Sequence, residues 1–246
     1  MTRRTFVTGG SSGIGAAIVR ALARAGHEVM FTVGGSVEAA ATLVAQETGV
    51  TMVRVDLADA AAVRVLAQDL AGAEPAFDGF VHCAGRSYDR LSMAGSDEAL
   101  GALLQVNALS MTTLYRALLP AMMRRRFGRV VLVGSVVAER GSRGNAFYAM
   151  SKAALGGFTR SAVAEVAGRG VTVNLIAPGF IETRMLDGYP GIRERVKARV
   201  PAAMLGRPDD VAAAVAFLMS EDAGYINGTV LAIDGGLSAT LGSVAA

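Results

Sequence analysis

The 246-residue sequence predicts a doubly wound α/β fold, a seven-stranded parallel sheet with helices on both faces. Three observations carry this. Short runs rich in Val, Ile and Thr alternate with longer Ala-rich stretches of helical period. Several of the short runs are almost wholly apolar, as strands are when both sheet faces are covered. The first run leads straight into a glycine-rich turn, "VTGGSSGIGAAI" (7–18), which opens a helix.

In chain order, strands are expected at 4–9 (RTFVTG), 28–33 (EVMFTV), 51–57 (TMVRVDL), 79–85 (GFVHCAG), 129–135 (RVVLVGS), 171–179 (VTVNLIAPG) and 229–236 (TVLAIDGG). Helices are expected around 13–25, 36–47, 59–71, 97–126, 146–168 and 208–219. Strict alternation of the two implies parallel strands joined by right-handed crossovers. No repeat or low-complexity linker divides the chain, so 1–246 reads as one domain. Residues 180–207 break the rhythm just after the carboxyl end of a strand. Open α/β sheets bind ligands at that rim, and the segment reads as a substrate loop or lid.

Composition removes several classes of function. The mean hydropathy of +0.41 owes much to alanine. The longest apolar run, "VAAAVAFLM" (211–219), falls far short of the ~20 residues a membrane span needs. No apolar segment with a small-residue cleavage site follows the start, which predicts a cytoplasmic protein. One cysteine, Cys83, and two histidines, His27 and His82, leave no internal disulfide and no ligand-spaced metal set. A net charge of +3 and a pI near 9.3 suit an anionic ligand. Nucleic acid is a poor fit, since tryptophan is absent, aromatics make up 6% and "RRR" is the one basic cluster.

The glycine turn places Gly9, Gly13 and Gly15 around Ser11, Ser12 and Ile14. Glycine permits the tight turn and a close backbone approach, and the helix start aims free N–H groups at a phosphate. With a strand before it and a helix after it, the turn predicts a dinucleotide; the GK[ST] ending of a nucleotide triphosphatase is missing. The second strand ends at Gly34, Gly35 and Ser36, and the first acid is Glu38. An acid at that tip would repel a 2′-phosphate, so its absence predicts NADP, with NAD possible. No arginine stands in the tip itself to clamp the phosphate.

Of the 24 basic residues only Lys152 and Lys197 are lysines. Lys152 follows Tyr148 by four positions, on one helix face. A phenol normally ionises near pH 10, and a nearby ammonium favours the phenolate. Lysine also offers a compact charge that can hold a sugar hydroxyl, which arginine's rigid fork does poorly. Ser135, at the end of the fifth strand, can bond a substrate carbonyl oxygen or merely cap a loop. Asn107 lies in an apolar helical run, either as a satisfied core amide or as the holder of a water linking Lys152 to solvent.

Taken together, these motifs resemble the short-chain dehydrogenase/reductases from end to end. The matching features are T-G-x-x-x-G-I-G (8–15), Asp56 after the third strand, Ala84-Gly85, Asn107, Ser135, Y-x-x-x-K (148–152) and Pro178-Gly179. The resemblance implies a Rossmann-like fold with Tyr148 as general acid/base, Lys152 on the nicotinamide ribose, Ser135 on the carbonyl and Asn107 in a water relay. It further implies that Asp56 and Leu57 contact the adenine, and that Ile181 and Thr183 engage the carboxamide. Cys83 stands where the family usually has an asparagine that supports the sheet, and Ser12 where many NADPH-dependent relatives have arginine.

Within the family, "GRVVLVGSVV" (128–137), "GRGVTVNLIAPGFIETRM" (168–185) and residues 205–236 are most similar to 3-oxoacyl-[acyl-carrier-protein] reductases. That likeness implies an acyl thioester substrate in fatty acid or polyketide biosynthesis, carried by an acidic carrier protein or by CoA. It also implies a homotetramer, and Arg124, Arg125, Arg126, Arg129 and Arg169 are expected to steer the carrier. The alternatives are a reductase or dehydrogenase of another secondary alcohol or ketone (steroid, sugar or small ketone) and a non-catalytic dinucleotide-binding module.

Overall fold

Seven parallel strands form one sheet in the computed structural model, which describes residues 2–35, 37–187 and 191–240. They are β1 (Arg4–Thr8), β2 (Glu28–Val33), β3 (Val50–Arg54), β4 (Gly79–His82), β5 (Gly128–Val133), β6 (Val171–Pro178) and β7 (Val230–Ile233). Their order is β3-β2-β1-β4-β5-β6-β7. The chain therefore builds outward from β1 in one direction, then returns to lay β4 on its other side. That reversal opens a crevice at the carboxyl ends of β1 and β4, where such sheets bind ligands.

Side-chain alternation along the strands supplies two cores. Phe6, Phe80, Val130, Leu132 and Leu175 face α3 (Ala60–Ala71), α5 (Ser110–Arg125) and α7 (Ala146–Val166). Val7, Val81, Val131, Val133 and Ile176 face α1 (Gly13–Arg24), α2 (Val37–Gln46) and α9 (Pro208–Met219). β5 and β6 are buried at every position, which explains sequences that are apolar apart from Arg129, Thr172 and Asn174. Among the described residues no helix is long and apolar enough to cross a membrane.

The helix expected over 97–126 is three pieces. α4 (Asp97–Leu104) gives way to a π-helical turn, Gln105–Leu109, before α5 begins at Ser110. Side chains intrude on the ladder there: Ser110 Oγ donates to Val106 O at 2.9 Å, and the Asn107 carbonyl is turned to His82. Two short helices were also not expected, α6 (Val137–Arg140) and α8 (Ile192–Lys197). α8 lies in the 180–207 segment, whose Val196, Val200 and Leu205 form a small core of their own. An isolated pairing of Ile181 with Gly206 anchors that segment at its base.

Leu155, fully buried on α7, packs into the core of α3 and α5. Leu155→Ala is expected to lower the unfolding free energy by about 2–5 kcal/mol, read by urea titration.

Candidate active site

At the carboxyl edge the glycine turn closes on itself. Gly9 and Gly13 adopt φ of +71° and +51°, a region that disfavours other side chains. A Cβ on Gly15 would lie 2.0 Å from Gly9 O, and one on Gly9 2.8 Å from the Ala84 Cα. The start of α1 thus stands beside the end of β4, with Ser11 and Ser12 at the rim and Ile14 partly buried. Across from it, Thr183 approaches to 3.2 Å of where a Gly13 Cβ would sit. Free N–H groups at a helix start, held in a gap that a methyl group would fill, fit a pyrophosphate.

The tyrosine, lysine and serine meet at the same edge. Ser135 lies two residues past β5, and its Oγ accepts from the Val137 N–H at 3.3 Å; Ser135 also stands near enough to Tyr148 to favour the ionised form of its phenol. Lys152 is buried, and its Nζ donates to Val133 O at 2.9 Å. A Cβ on Gly85 would come within 3.0 Å of that Nζ, so Ala84-Gly85 connects the glycine turn to the lysine. Burial lowers the Lys152 pKa to about 8.

The lowering of the phenol pKa expected from Lys152 does not set its shift. Burial pushes the Tyr148 hydroxyl above its ordinary value; Ser135 opposes this, and the charge of Asp89 adds to it. Nζ lies 6.0 Å from the Tyr148 ring centroid and is turned to a strand carbonyl, so desolvation outweighs its attraction.

Asn107 is a satisfied core amide. Its Oδ1 accepts from the Arg86 N–H at 2.8 Å, and its Nδ2 donates to Arg86 O at 3.0 Å and to Ser151 Oγ at 2.9 Å. Ser151 Oγ in turn donates to Tyr148 O at 2.7 Å. The side chain therefore braces the loop after β4 against α7 and is spent on these bonds; a water relay has only the backbone of the π-helical turn to use.

His82 is a site residue that sequence reasoning missed. Thr8 Oγ1 accepts from the Ala84 N–H at 3.2 Å, so its proton goes to His82 Nδ1 at 2.9 Å. Nε2–H is then left to donate to Asn107 O at 3.3 Å. This neutral histidine ties β1, β4 and the π-helical turn together, with its pKa lowered to about 3 mainly by burial. Gly9 N–H also donates to Thr32 Oγ1 at 2.9 Å, so the edge is held without the asparagine that Cys83 replaces. Burial raises the Cys83 thiol to about 11, which keeps it protonated. The available clue to His82 was a polar residue inside an otherwise apolar strand.

The other expected residues divide. Asp56 is exposed, accepts from the Ala58 N–H at 2.9 Å and faces Arg86 at 3.9 Å. Leu57 and Ile181 turn their side chains into the cores, leaving their backbones to meet a ligand. Pro178 ends β6, and Gly179 fits tightly, a Cβ there lying 2.8 Å from Asp234 Cβ. Gly34 and Gly35 are exposed, while Ser36 lies outside the described residues.

The five arginines do not border this cleft. Arg124, Arg125 and Arg126 precede β5, and Arg169 precedes β6, which puts them at the amino edge of the sheet, opposite the site. Arg129 is buried and bonds Ser220 O and Gly128 O, at 2.9 and 3.0 Å. Arg125 is held by Phe77 O and Asp78. Helices that run antiparallel to the strands end at that edge, a consequence of topology that spacing along the sequence does not display.

Neutral His82 makes a pH prediction. The unfolded chain binds a proton near pH 6.5 and the fold does not, so stability falls as pH drops through 6.5. The slope is up to about 1.4 kcal/mol per pH unit between pH 6.5 and 5. Denaturant titrations of His82→Gln should show a flatter profile, retaining the contribution of His27, which burial also pushes down.

Comparison with known proteins identifies the family. A family model described as enoyl-(acyl carrier protein) reductase matches residues 9–238. The chain is 39% identical over 236 residues to "3-oxoacyl-[acyl-carrier-protein] reductase FabG" of Escherichia coli (strain K12), covering 94% of this chain and 96% of that one. It is 36% identical over 239 residues to "Acetoacetyl-CoA reductase" of Shinella zoogloeoides, covering 96% and 98%. A solved "short chain dehydrogenase/reductase family protein" matches with a TM-score of 0.89 at 30% identity, over 97% of this chain and 98% of that one. The chain belongs to the short-chain dehydrogenase/reductase family, oxidoreductases that act on C=O and CH–OH groups with a nicotinamide dinucleotide.

Proposed function

We propose that this protein reduces a 3-oxoacyl thioester to the 3-hydroxyacyl thioester, taking hydride from NADPH and the proton from Tyr148. The observation that carries the reading is the meeting of Ser135, Tyr148 and a buried Lys152 at the carboxyl edge of the sheet. When bound, the dinucleotide supplies the hydride. Ser135 is placed to donate to the ketone oxygen, stabilising the charge that grows there. A phenol pushed upward by burial stays protonated at neutral pH, which suits it to be an acid. The alkoxide formed by hydride arrival is far more basic than any phenol, so the Tyr148 proton moves downhill. Lys152, cationic below about pH 8, steadies the phenolate left behind and can hold ribose hydroxyls.

Around this chemistry the proposal includes the Gly9–Gly15 turn on the pyrophosphate, Asp56 toward the adenine, and backbone groups of 178–183 toward the nicotinamide. Residues 180–207 serve as the lid, on a single domain. A homotetramer is supported by apolar side chains left exposed on helices and the edge strand, namely Leu109, Met150 and Leu231. The likeness to reductases named for acyl carrier protein and for acetoacetyl-CoA supports a thioester substrate. Arg124, Arg126 and Arg169 are exposed at the sheet's amino edge, where their charge can attract an acidic carrier but does not border the cleft.

The test follows nicotinamide absorbance with acetoacetyl-CoA. NADPH should be consumed, and no turnover with either NADPH or NADH defeats the thioester reading. Tyr148→Phe should cut the rate by at least ~10²-fold, and a near-normal rate rejects its role. Because the folded pKa of Lys152 is depressed, its ammonium is present below about pH 8 and lost above it. The reduction rate should therefore decline as pH rises through 8.

A further inference from the structure

An arginine does stand beside the glycine tip, contributed by the neighbouring strand. β2 ends at Val33, and Arg54, the last residue of β3, pairs with it across the parallel ladder. The Val55 N–H donates to Val33 O at 3.1 Å, fixing that register. Val53 and Val55 turn to the core of α3 and α5, whereas Val33 and Val50 belong to the face of α1 and α2. Strand alternation therefore sends Arg54 out on the α2 face, at the carboxyl edge beside Gly34-Gly35. Arg54 is exposed and has no ion pair or hydrogen bond among the described residues.

The space next to it is open. A Cβ on Gly35 would meet nothing within 4 Å, and one on Gly34 only Val55 O at 3.5 Å. No acid occupies the strand end. Glu38, the first carboxylate, comes later in the first turn of α2 and is exposed.

We propose that Arg54 is the cofactor-selecting residue, its guanidinium pairing with the adenosine 2′-phosphate of NADP. This rests on the dinucleotide reading above and supplies the cation that neither the glycine turn, with Ser12, nor the strand tip provides. A guanidinium offers two parallel donors to two phosphate oxygens, and a ribose bearing only hydroxyls gives it nothing comparable. Glu38 is the competing group, able to accept from ribose hydroxyls and so to favour NAD.

Calorimetry with adenosine 2′,5′-bisphosphate and 5′-AMP tests this without turnover. The wild type should bind the bisphosphate at least ~10-fold tighter than AMP, and Arg54→Gln should erase most of that ratio by weakening the bisphosphate alone. Arg54→Lys should recover part of it. A wild-type preference that survives Arg54→Gln overturns the assignment of Arg54 and leaves the NADP reading standing. Equal wild-type affinity for the two ligands overturns the NADP reading itself, and Arg54 with it.

Discussion

The arrangement depends on a buried ammonium. Lys152 lies inside the protein with no carboxylate partner among the described residues, held by one strand carbonyl at 2.9 Å. Burying a charge on such terms is costly, and the fall of its pKa to about 8 expresses that cost. Three elements must be fixed to maintain it: the end of β5, which offers Val133 O; α7, which carries the lysine; and Gly85, where a Cβ would press on Nζ at 3.0 Å. The rarity of lysine in an arginine-rich chain becomes intelligible here. A compact ammonium fits one carbonyl and a small gap, and a five-donor fork does not.

What surrounds the ammonium serves its position. Asn107 spends its amide on Arg86 and Ser151, joining the loop after β4 to the turn of α7 that carries Tyr148. The π-helical turn at 105–109 turns the Asn107 carbonyl to His82, and His82 passes the connection to Thr8, next to the glycine turn. Cofactor cradle and proton donor are thus coupled through a short chain of buried, fully used polar groups. Such networks rigidify a site when every member is satisfied.

The sheet, the glycine turn and the Tyr148–Lys152 pair were legible in the sequence because each rests on local period or spacing. The strand runs and crossovers dictated the architecture, and Ser135, Ala84 and Gly85 fell where strand ends must place them. What escaped depended on neighbours distant in sequence. Arg54 meets the Gly34-Gly35 tip only through pairing of β2 with β3, and the amino-edge position of Arg124 to Arg126 follows from the direction in which α5 runs. The phenol's direction of shift was misjudged because i,i+4 spacing shows that two groups are near, and not that burial is the larger effect. The broken helix at Asn107 likewise reflects the bonds of Ser110 to Val106 O and of His82 to Asn107 O, which no helical period encodes.

The most direct measurement is a ¹³C NMR titration of the Tyr148 phenol in the dinucleotide-free protein, assigned by its loss in Tyr148→Phe. The account predicts ionisation above the ordinary value near 10, with the phenol fully protonated at neutral pH. Ionisation below 10 would mean that the ammonium outweighs burial, and it would contradict the view of Tyr148 as a neutral proton donor whose proton is retained by the surrounding core.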